Sequence, residues 1–275
     1  MSRSLKHDWP LHLILGVAAI ITFYPFLFML FTSFKTSPQF LHDFWGVTWP
    51  PTLGNYRDAW SRLSGYLINS IIVSGVSMIG VLVIASISGF VFARYNFPGR
   101  ELFFFAILAL LMIPGVLTLV PAFLLVKNLG LLNTYWALIL PYIAGGQIFA
   151  IFILRSFIAG LPEELFEAAR LDGASTLQAF RHIVIPLSKP ILVTIAVMNV
   201  LGTWNDYIWP LVTIPDNKLW TISVGIVTFG SSFRGLESWG PMFAGFVIAS
   251  VPMIVLFSFT MRYFIAGLTS GAIKA

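Results

Sequence analysis

The sequence contains no cysteine, so disulfide bonds, thiolate metal sites and cysteine nucleophiles are all excluded. Charge is also scarce, because 10% of the 275 residues are Asp, Glu, Lys or Arg, whereas an ordinary soluble domain has roughly 25%. The hydrophobic fraction is 58% and the mean hydropathy is +0.89. These values exclude a conventional water-soluble enzyme and indicate that the protein folds in a lipid bilayer.

Positive charge exceeds negative charge by a small margin, with a net charge of +5 and a pI near 9.6. The 16 Lys and Arg residues are scattered singly. They form no basic stretch long enough to follow a phosphate backbone, so we expect no nucleic-acid partner.

Six apolar stretches are long enough to cross about 30 Å of hydrocarbon, which takes roughly 20 helical residues. They cover residues 13–34, 66–93, 102–126, 135–158, 190–209 and 242–264. The first stretch is too long for the apolar part of a signal peptide and no cleavage site follows it, so we expect an uncleaved helix. The pattern predicts an all-α membrane protein with six transmembrane helices.

Lys and Arg are distributed so that, with the N-terminus inside, 10 lie in inner segments and 6 in outer ones. This distribution predicts that both termini are cytoplasmic. The long outer segments, 35–65 and 210–241, are rich in Trp, and these rings are either interfacial anchors or contacts for an external partner. Within the second stretch, the small residues Ala85, Gly89 and Ala93 predict close approach of a neighbouring helix.

The polar inner segment 161–186 has the pattern of two short helices joined by a turn. Pro162 suits a first helical turn, and Gly173 suits the left-handed residue that ends a helix. Ser175 and Gln178 form a predicted capping box, and Pro186 is expected to stop the second helix.

The first of these helices is predicted to be amphipathic. Leu165, Ala168 and Ala169 share one face, and Glu167 is spaced to pair with Arg170. Such a helix suits either the groove of another protein or the membrane interface.

The spacing within this segment resembles a known motif. Glu167-Ala168-Ala169, Gly173 and the run 183–186 match the pattern E-A-A-x3-G-x9-I-x-L-P, except that Ile185 stands where Leu is usual. This is the EAA motif of ABC importer permeases. The run 204–211 is similar to the W-N-[ED]-[FY]-x-W-P-L stretch of carbohydrate-uptake permeases, and the run 262–274 to the tail of the maltose-type second permease subunit.

The resemblance implies a multi-pass subunit of a binding-protein-dependent sugar importer with the type I fold, in a bacterial plasma membrane. Its implied partners are a second permease subunit, two ATPase subunits, an extracytoplasmic solute-binding protein, sugar and membrane lipid. The chain would then divide into an N-terminal helix and loop (1–65), a permease core (66–265) and a cytoplasmic tail (266–275). The residues implied to dock on the ATPase are Glu164, Glu167, Ala168, Ala169, Asp172 and Gly173.

Motifs for catalysis are absent from the sequence. No Lys follows a Gly, so there is no G-x-x-x-x-G-K-[ST] phosphate loop, and neither G-x-S-x-G nor H-E-x-x-H occurs. We therefore expect no catalytic or metal site and no cofactor in this chain, with ATP and Mg bound by the partner ATPase.

A secondary transporter or facilitator of a small polar solute is the alternative class. Coupling to protons or sodium usually leaves ionisable groups inside spans, and Asp206 is the one carboxylate near a predicted span. Candidate pathway residues are amides, an indole and this carboxylate, each of which is otherwise an interhelical hydrogen-bonding group. They are Asn69, Gln147, Asn199, Trp204, Asn205 and Asp206.

The outer segment 210–241 contains a polar, glycine-flanked run that is expected to be flexible. We expect Ser231, Ser232, Phe233 and Arg234 to contact the solute-binding protein. The alternative is a simple connecting loop.

Overall fold

The computed structural model describes residues 9–232 and 239–272, and this part of the chain is built from helices. Their bounds, in chain order, are α1 (Trp9–Ser33), α2 (Ser37–His42), α3 (Gly54–Arg94), α4 (Arg100–Ala109), α5 (Gly115–Asn128), α6 (Trp136–Ala159), α7 (Glu164–Leu171), α8 (Thr176–Ala179), α9 (Ile185–Leu187), α10 (Lys189–Asn205), α11 (Ile208–Thr213), α12 (Ile222–Ser232) and α13 (Trp239–Ala272). The described residues form two compact units, one with residues 9–64, 225–232 and 239–252, and the other with residues 65–224 and 253–272.

The predicted spans are confirmed as apolar helices, although two of them are broken. Four helices in the described ranges are long and apolar enough to cross a membrane: α1, α3, α6 and the part of α13 up to Met261. Two further pairs of helices are apolar enough together but are sharply bent where the two helices meet. If each pair counts as one span, the number of candidate spans is six. One pair joins Arg100–Met112 to Gly115–Asn128 at 104°, and the other joins Thr176–Leu187 to Lys189–Asn205 at 73°.

The prediction of one continuous helix over 102–126 is wrong. The helix stops in a 3-10 turn at Leu110–Met112, and Ile113 is extended, with φ −83° and ψ 116°. Proline disfavours helical backbone in the residue before it, so Pro114 accounts for the extended Ile113 and for the sharp bend.

The expected stop at Pro186 is also wrong. A wide π-type turn at Phe180–Val184 leads directly into α9, and the bend comes at Ser188 instead. Pro186 is tolerated because it lies in the first turn of α9, where its missing N–H is least costly.

The two segments predicted as long outer loops are largely helical. Thr36 caps α2 through a reciprocal capping box with Gln39, and α3 begins at Gly54 rather than near residue 66. In the second segment, α10 ends at Asn205, and α11 and α12 follow. Sequence patterns missed these helices because several are short and their apolar residues are interrupted by Pro and Gly, which favour turns.

A lysine is buried in the first unit. The Lys35 side chain is 1% exposed, and its Nζ donates to the carbonyl oxygens of Asp43 at 2.7 Å and Phe44 at 3.2 Å. The Asn55 amide donates to the Lys35 carbonyl at 2.9 Å. A Cβ at Gly240 would lie 2.2 Å from that carbonyl, so glycine is required for this contact. The two bonds that Nζ donates offset the free-energy cost of burying the polar end of the Lys35 side chain.

The core of the second unit forms where α3 packs against α6. Val81, Ala85, Leu154 and Ile158 are all fully buried there. A Cβ added at Gly89 would lie 2.7 Å from the Leu154 Cβ. The predicted close helix approach along the small-residue row is therefore confirmed.

We expect Gly89→Ala to destabilise the protein, because the new methyl group would overlap the Leu154 side chain and approach the Arg155 backbone nitrogen to 3.2 Å. Overpacking of this kind typically costs about 1–3 kcal/mol. Gly75→Ala is the matched control, since Gly75 lies in the same helix and a methyl group added there would have no heavy atom of its described neighbours within 4 Å. Thermal unfolding in detergent should show a lower midpoint for Gly89→Ala alone, and equal midpoints for the two variants would contradict this packing.

Candidate functional site

The helix α7 and the turn after it have the local structure that the sequence predicts. Gly173 adopts φ +77°, and the Ala174 amide donates to the Ala169 carbonyl at 2.9 Å, which closes the end of the helix. The Ser175 amide donates to Gln178 Oε1 at 2.7 Å, and the Gln178 amide donates back to the Ser175 hydroxyl at 3.3 Å. The predicted capping box is confirmed.

Two details of α7 differ from expectation. Arg170 pairs with Glu163 rather than with Glu167. Leu165, Ala168 and Ala169 lie on one side of the helix as predicted, but that side is not the buried one. Leu165 and Ala168 are exposed, while Ala169 is half-buried and lines a cavity of about 500 Å³ with Phe166. Glu163 lies at the helix start and also pairs with Arg94, so its carboxylate bridges two arginines.

The exposed side of α7 combines acidic residues with apolar ones, since Leu165 and Ala168 are exposed as well. Glu164, Glu167 and Asp172 are exposed, and Leu171 is 89% exposed. Phe166, on the opposite side, is 6% exposed and joins the core. Sequence analysis missed the roles of Leu171 and Phe166, although a lone leucine following an EAA motif was a usable signal. The exposed side is suited to bind another protein.

A second group of polar side chains lies where α6 faces α10. They border a cavity of about 420 Å³ that Tyr142, Gly146, Asn199 and Asp206 help to line. The Tyr142 hydroxyl donates to Asp206 Oδ2 at 2.9 Å, and Asp206 Oδ1 accepts the Trp209 amide at 3.2 Å. Asp206 therefore ties α6 to the start of α11, across the unwound residues after α10.

Two amides near this cavity have unused hydrogen-bonding capacity. Asn199 Oδ1 and both amide atoms of Gln147 are buried and have no hydrogen-bond partner among the residues that the structure describes. Asn199 lines the cavity, whereas Gln147 follows the lining residue Gly146 in the chain and is not among the described lining residues. Buried polar groups are nearly always satisfied, so each of these atoms needs a partner that the described chain does not supply.

The other candidate pathway residues lie elsewhere and have structural contacts. Asn69 is 5% exposed. Its amide donates to the carbonyl oxygens of Lys218 at 2.8 Å and Trp220 at 2.9 Å, and its Oδ1 accepts the Tyr135 hydroxyl at 2.8 Å. This bonding uses three of the four sites of the amide.

Trp204 and Asn205 end α10. Trp204 is 7% exposed, and its carbonyl accepts the Ser223 hydroxyl. Asn205 is exposed, and its amide donates to the Leu201 carbonyl at 2.9 Å. The structure thus brings Asn199 and Asp206 together at the cavity but places neither Trp204 nor Asn205 among its described lining residues.

The run expected to contact a solute-binding protein is only partly described. Ser231 and Ser232 end α12, and the Ser231 hydroxyl donates to the Thr228 carbonyl at 2.8 Å. Phe233 and Arg234 lie outside the described residues. The expectation of a flexible loop is wrong for Ser231 and Ser232, because the helix from Ile222 includes them.

Comparison with known proteins defines the class of this chain. Residues 82–270 match the family of binding-protein-dependent transport system inner membrane components, and the chain belongs to that family. It is a permease subunit of the ABC importer type. The family assignment favours this class over a secondary transporter.

Relatives match along nearly the whole chain. An arabinooligosaccharides transport system permease protein of Halalkalibacterium halodurans is 35% identical over 273 residues, which cover 97% of this chain and 96% of the relative. A trehalose/maltose transport system permease protein of Thermococcus litoralis is 34% identical over 268 residues, which cover 95% and 96%.

A solved structure has the same fold. It is the crystal structure of a bacterial ABC transporter involved in the import of the acidic polysaccharide alginate, and one of its chains matches with a TM-score of 0.79. The match covers 96% of this chain and 99% of that chain at 21% identity. It confirms the predicted type I importer transmembrane fold.

We expect Asn69→Ala to destabilise the protein by about 2 kcal/mol or more, because it leaves two carbonyl groups and a hydroxyl without their partner. Asn205→Ala is the control, since it removes one exposed hydrogen bond within a single helix. Thermal unfolding in detergent should show a lower midpoint for Asn69→Ala than for the unchanged protein. The midpoint of Asn205→Ala should be nearly the same as that of the unchanged protein. An unchanged midpoint for Asn69→Ala, together with reduced solute uptake, would instead place Asn69 in the pathway.

Proposed function

We propose that this chain forms half of the translocation pathway of an ATP-driven bacterial sugar importer and couples to a separate ATPase subunit through α7. The observation that carries this proposal is the exposed acidic side of α7, a helix that ends in a defined turn at Gly173, in a chain of the permease family. The pathway would open alternately to the two sides of the membrane as the ATPase subunits bind and hydrolyse ATP.

The solute class is proposed from the relatives. Those compared above are named for arabinooligosaccharides and for trehalose and maltose. A sugar is bound by amides, hydroxyls and aromatic rings and needs no charge. The cavity between α6 and α10 offers a tyrosine, an asparagine and small glycine walls that fit such a ligand.

The partners follow from the family. We propose a homologous second permease, two ATPase subunits and an extracytoplasmic solute-binding protein. Hydrolysis takes place in the ATPase subunits, which hold ATP and Mg, since this sequence has no phosphate loop. Ser231 to Arg234 remain the proposed contact with the solute-binding protein.

The proposed sidedness is supported by a contact and by charge. Arg94, at the end of α3, pairs with Glu163, just before α7, so these two segments lie on the same side of the membrane. The positive-inside distribution places that side in the cytoplasm. The exposed residues Glu164, Glu167 and Leu171 would then face an ATPase subunit.

The test of this function is sugar uptake by the complete importer in proteoliposomes, with loaded binding protein outside and ATP inside. We expect Gly173→Leu to reduce both uptake and ATPase association. A left-handed leucine costs roughly 1–2 kcal/mol, and the space around Gly173 is open, so the cost comes from the backbone alone. Gly173→Asn is the matched control, because asparagine tolerates this conformation.

Glu167→Lys tests the charge of the same surface without changing the backbone. Glu167 is exposed and makes no ion pair among those found in the described residues. We expect the variant to fold normally and to bind the ATPase subunit less tightly in a membrane pull-down. Normal association and normal uptake in both Gly173→Leu and Glu167→Lys would contradict docking through α7.

If Gln147 and Asn199 belong to the pathway, Gln147→Leu and Asn199→Leu should reduce uptake without reducing stability. Each change removes buried polar atoms that lack partners, so the free energy of unfolding should stay the same or rise. Uptake should nevertheless fall, because the solute loses hydrogen-bonding groups. Unfolding midpoints and uptake rates measured on the same preparations check both effects, and wild-type uptake in both variants would remove these residues from the pathway.

A further inference from the structure

A single guanidinium group joins three parts of the second unit. Arg94 is the last residue of α3, and its side chain is 13% exposed. Its Nη1 donates to Glu163, and its Nη2 donates to the carbonyl oxygens of Ile158 at 2.9 Å and Leu161 at 2.6 Å. The group therefore binds the end of α6 and the segment that leads from α6 into α7.

The same guanidinium also contacts α7 through its face. Its Cζ lies 3.9 Å from the centroid of the Phe166 ring, which is a cation–π contact. Glu163 continues the connection, because it pairs with Arg170 in the last turn of α7. Arg94 thus binds the approach to α7 by hydrogen bonds and the helix itself by stacking.

The chemistry of arginine is necessary for this arrangement. A planar guanidinium presents donors along two edges while its face remains free to stack. An ammonium group is a point charge without a flat face, so lysine at this position would not make all of these contacts together. The Ile158 carbonyl lies in the last turn of α6 and already accepts the Leu161 amide at 3.2 Å, and the Leu161 carbonyl lies just beyond the helix. Carbonyl groups at a helix end have no amide one turn further along the helix, so Arg94 can supply a donor to them.

We propose that Arg94 is a positioning residue that transmits movement between α7 and the spans α3 and α6. When α7 is displaced by the ATPase, Phe166 and Glu163 move with it, and Arg94 carries that displacement to the end of α3 and to the C-terminal carbonyl groups of α6. This inference rests on the proposed function, because it assumes that α7 docks on the ATPase.

A second arginine in the unit has the same chemistry and a different place. Arg155 donates to both carboxylate oxygens of Glu101 at 2.6 and 2.8 Å, and its Cζ lies 3.7 Å from the Phe104 ring centroid. These contacts join α6 to α4 and do not involve α7 among the described residues. Arg155→Gln is therefore a matched control for Arg94→Gln.

The experiment measures sugar imported per ATP hydrolysed by the complete importer in proteoliposomes with loaded binding protein. For Arg94→Gln we expect hydrolysis to continue while this ratio falls by about fivefold or more, the size of a typical coupling effect. For Arg155→Gln we expect uptake and hydrolysis to change in proportion, so that the ratio stays at the wild-type value. An unchanged ratio in Arg94→Gln, or an equal fall in both variants, would overturn the proposal.

The Arg94→Lys variant provides a second measurement if Arg94→Gln does not assemble. We expect its ratio to fall as well, because lysine keeps the charge and loses the fork and the stacking. A wild-type ratio in Arg94→Lys would then overturn the proposal. If the wild-type importer takes up none of the sugars tested, the proposed function fails. If the wild-type importer transports sugar and the Arg94 variants keep its transport ratio, only the proposal for Arg94 fails.

A cross-link tests whether the role is mechanical. The Tyr95 hydroxyl donates to Thr176 Oγ1 at 2.9 Å, so these side chains join the end of α3 to α8. Because the chain has no cysteine, a Tyr95→Cys, Thr176→Cys pair can be linked selectively by a short bis-maleimide. In the Arg94→Gln background the link should raise the transport ratio towards the wild-type value. If the two cysteines are fully cross-linked and the ratio of sugar imported to ATP hydrolysed does not recover, a mechanical role for Arg94 is overturned.

Discussion

The close approach of α3 and α6 is the contact on which the rest of the second unit depends. Glycine permits this approach at Gly80, Gly89 and Gly146, where an added Cβ would lie 2.4 to 2.9 Å from atoms of facing side chains. In hydrocarbon no hydrophobic force drives helices together, so such packing contacts decide which helices associate. Because these contacts continue from Gly80 and Ile143 to Gly89 and Leu154, the C-terminal end of α3 lies beside the end of α6. Arg94 can then reach the carbonyl groups at the end of α6, and α7 is held in place.

Polar groups in this protein are used in two different ways. Asn69 and Lys35 are buried with several hydrogen bonds each and hold irregular backbone in place. Gln147 and Asn199 are buried with atoms that have no partner in the described chain. The first pattern stabilises a structure, whereas the second costs free energy unless another molecule supplies the missing bonds. Hydrogen bonding therefore distinguishes the structural amide of Asn69 from the candidate pathway amides of Gln147 and Asn199.

Breaks in the helices place the functional groups. The bend before Lys189 turns α8 and α9 away from the direction of α10, and the unwound residues after Asn205 bring Asp206 to the cavity. A helix break frees backbone groups, and side chains must satisfy them in a membrane. Asp206 does so for the Trp209 amide while accepting the Tyr142 hydroxyl. The irregular backbone after α10 therefore lies beside the cavity.

Local sequence was sufficient to predict the apolar helices, the left-handed Gly173, the Ser175 capping box and the small-residue row at Gly89. Each depends on local backbone preference or on hydropathy over one stretch, and both can be read from neighbouring residues. The folded structure was needed to show that Arg170 pairs with Glu163, that Asn69 is bonded to residues near position 220, and that Arg94 joins α3, α6 and α7. These contacts link residues from 7 to 151 positions apart. Periodicity within a segment carries no information on which distant segment lies against it, because that choice depends on how whole helices pack.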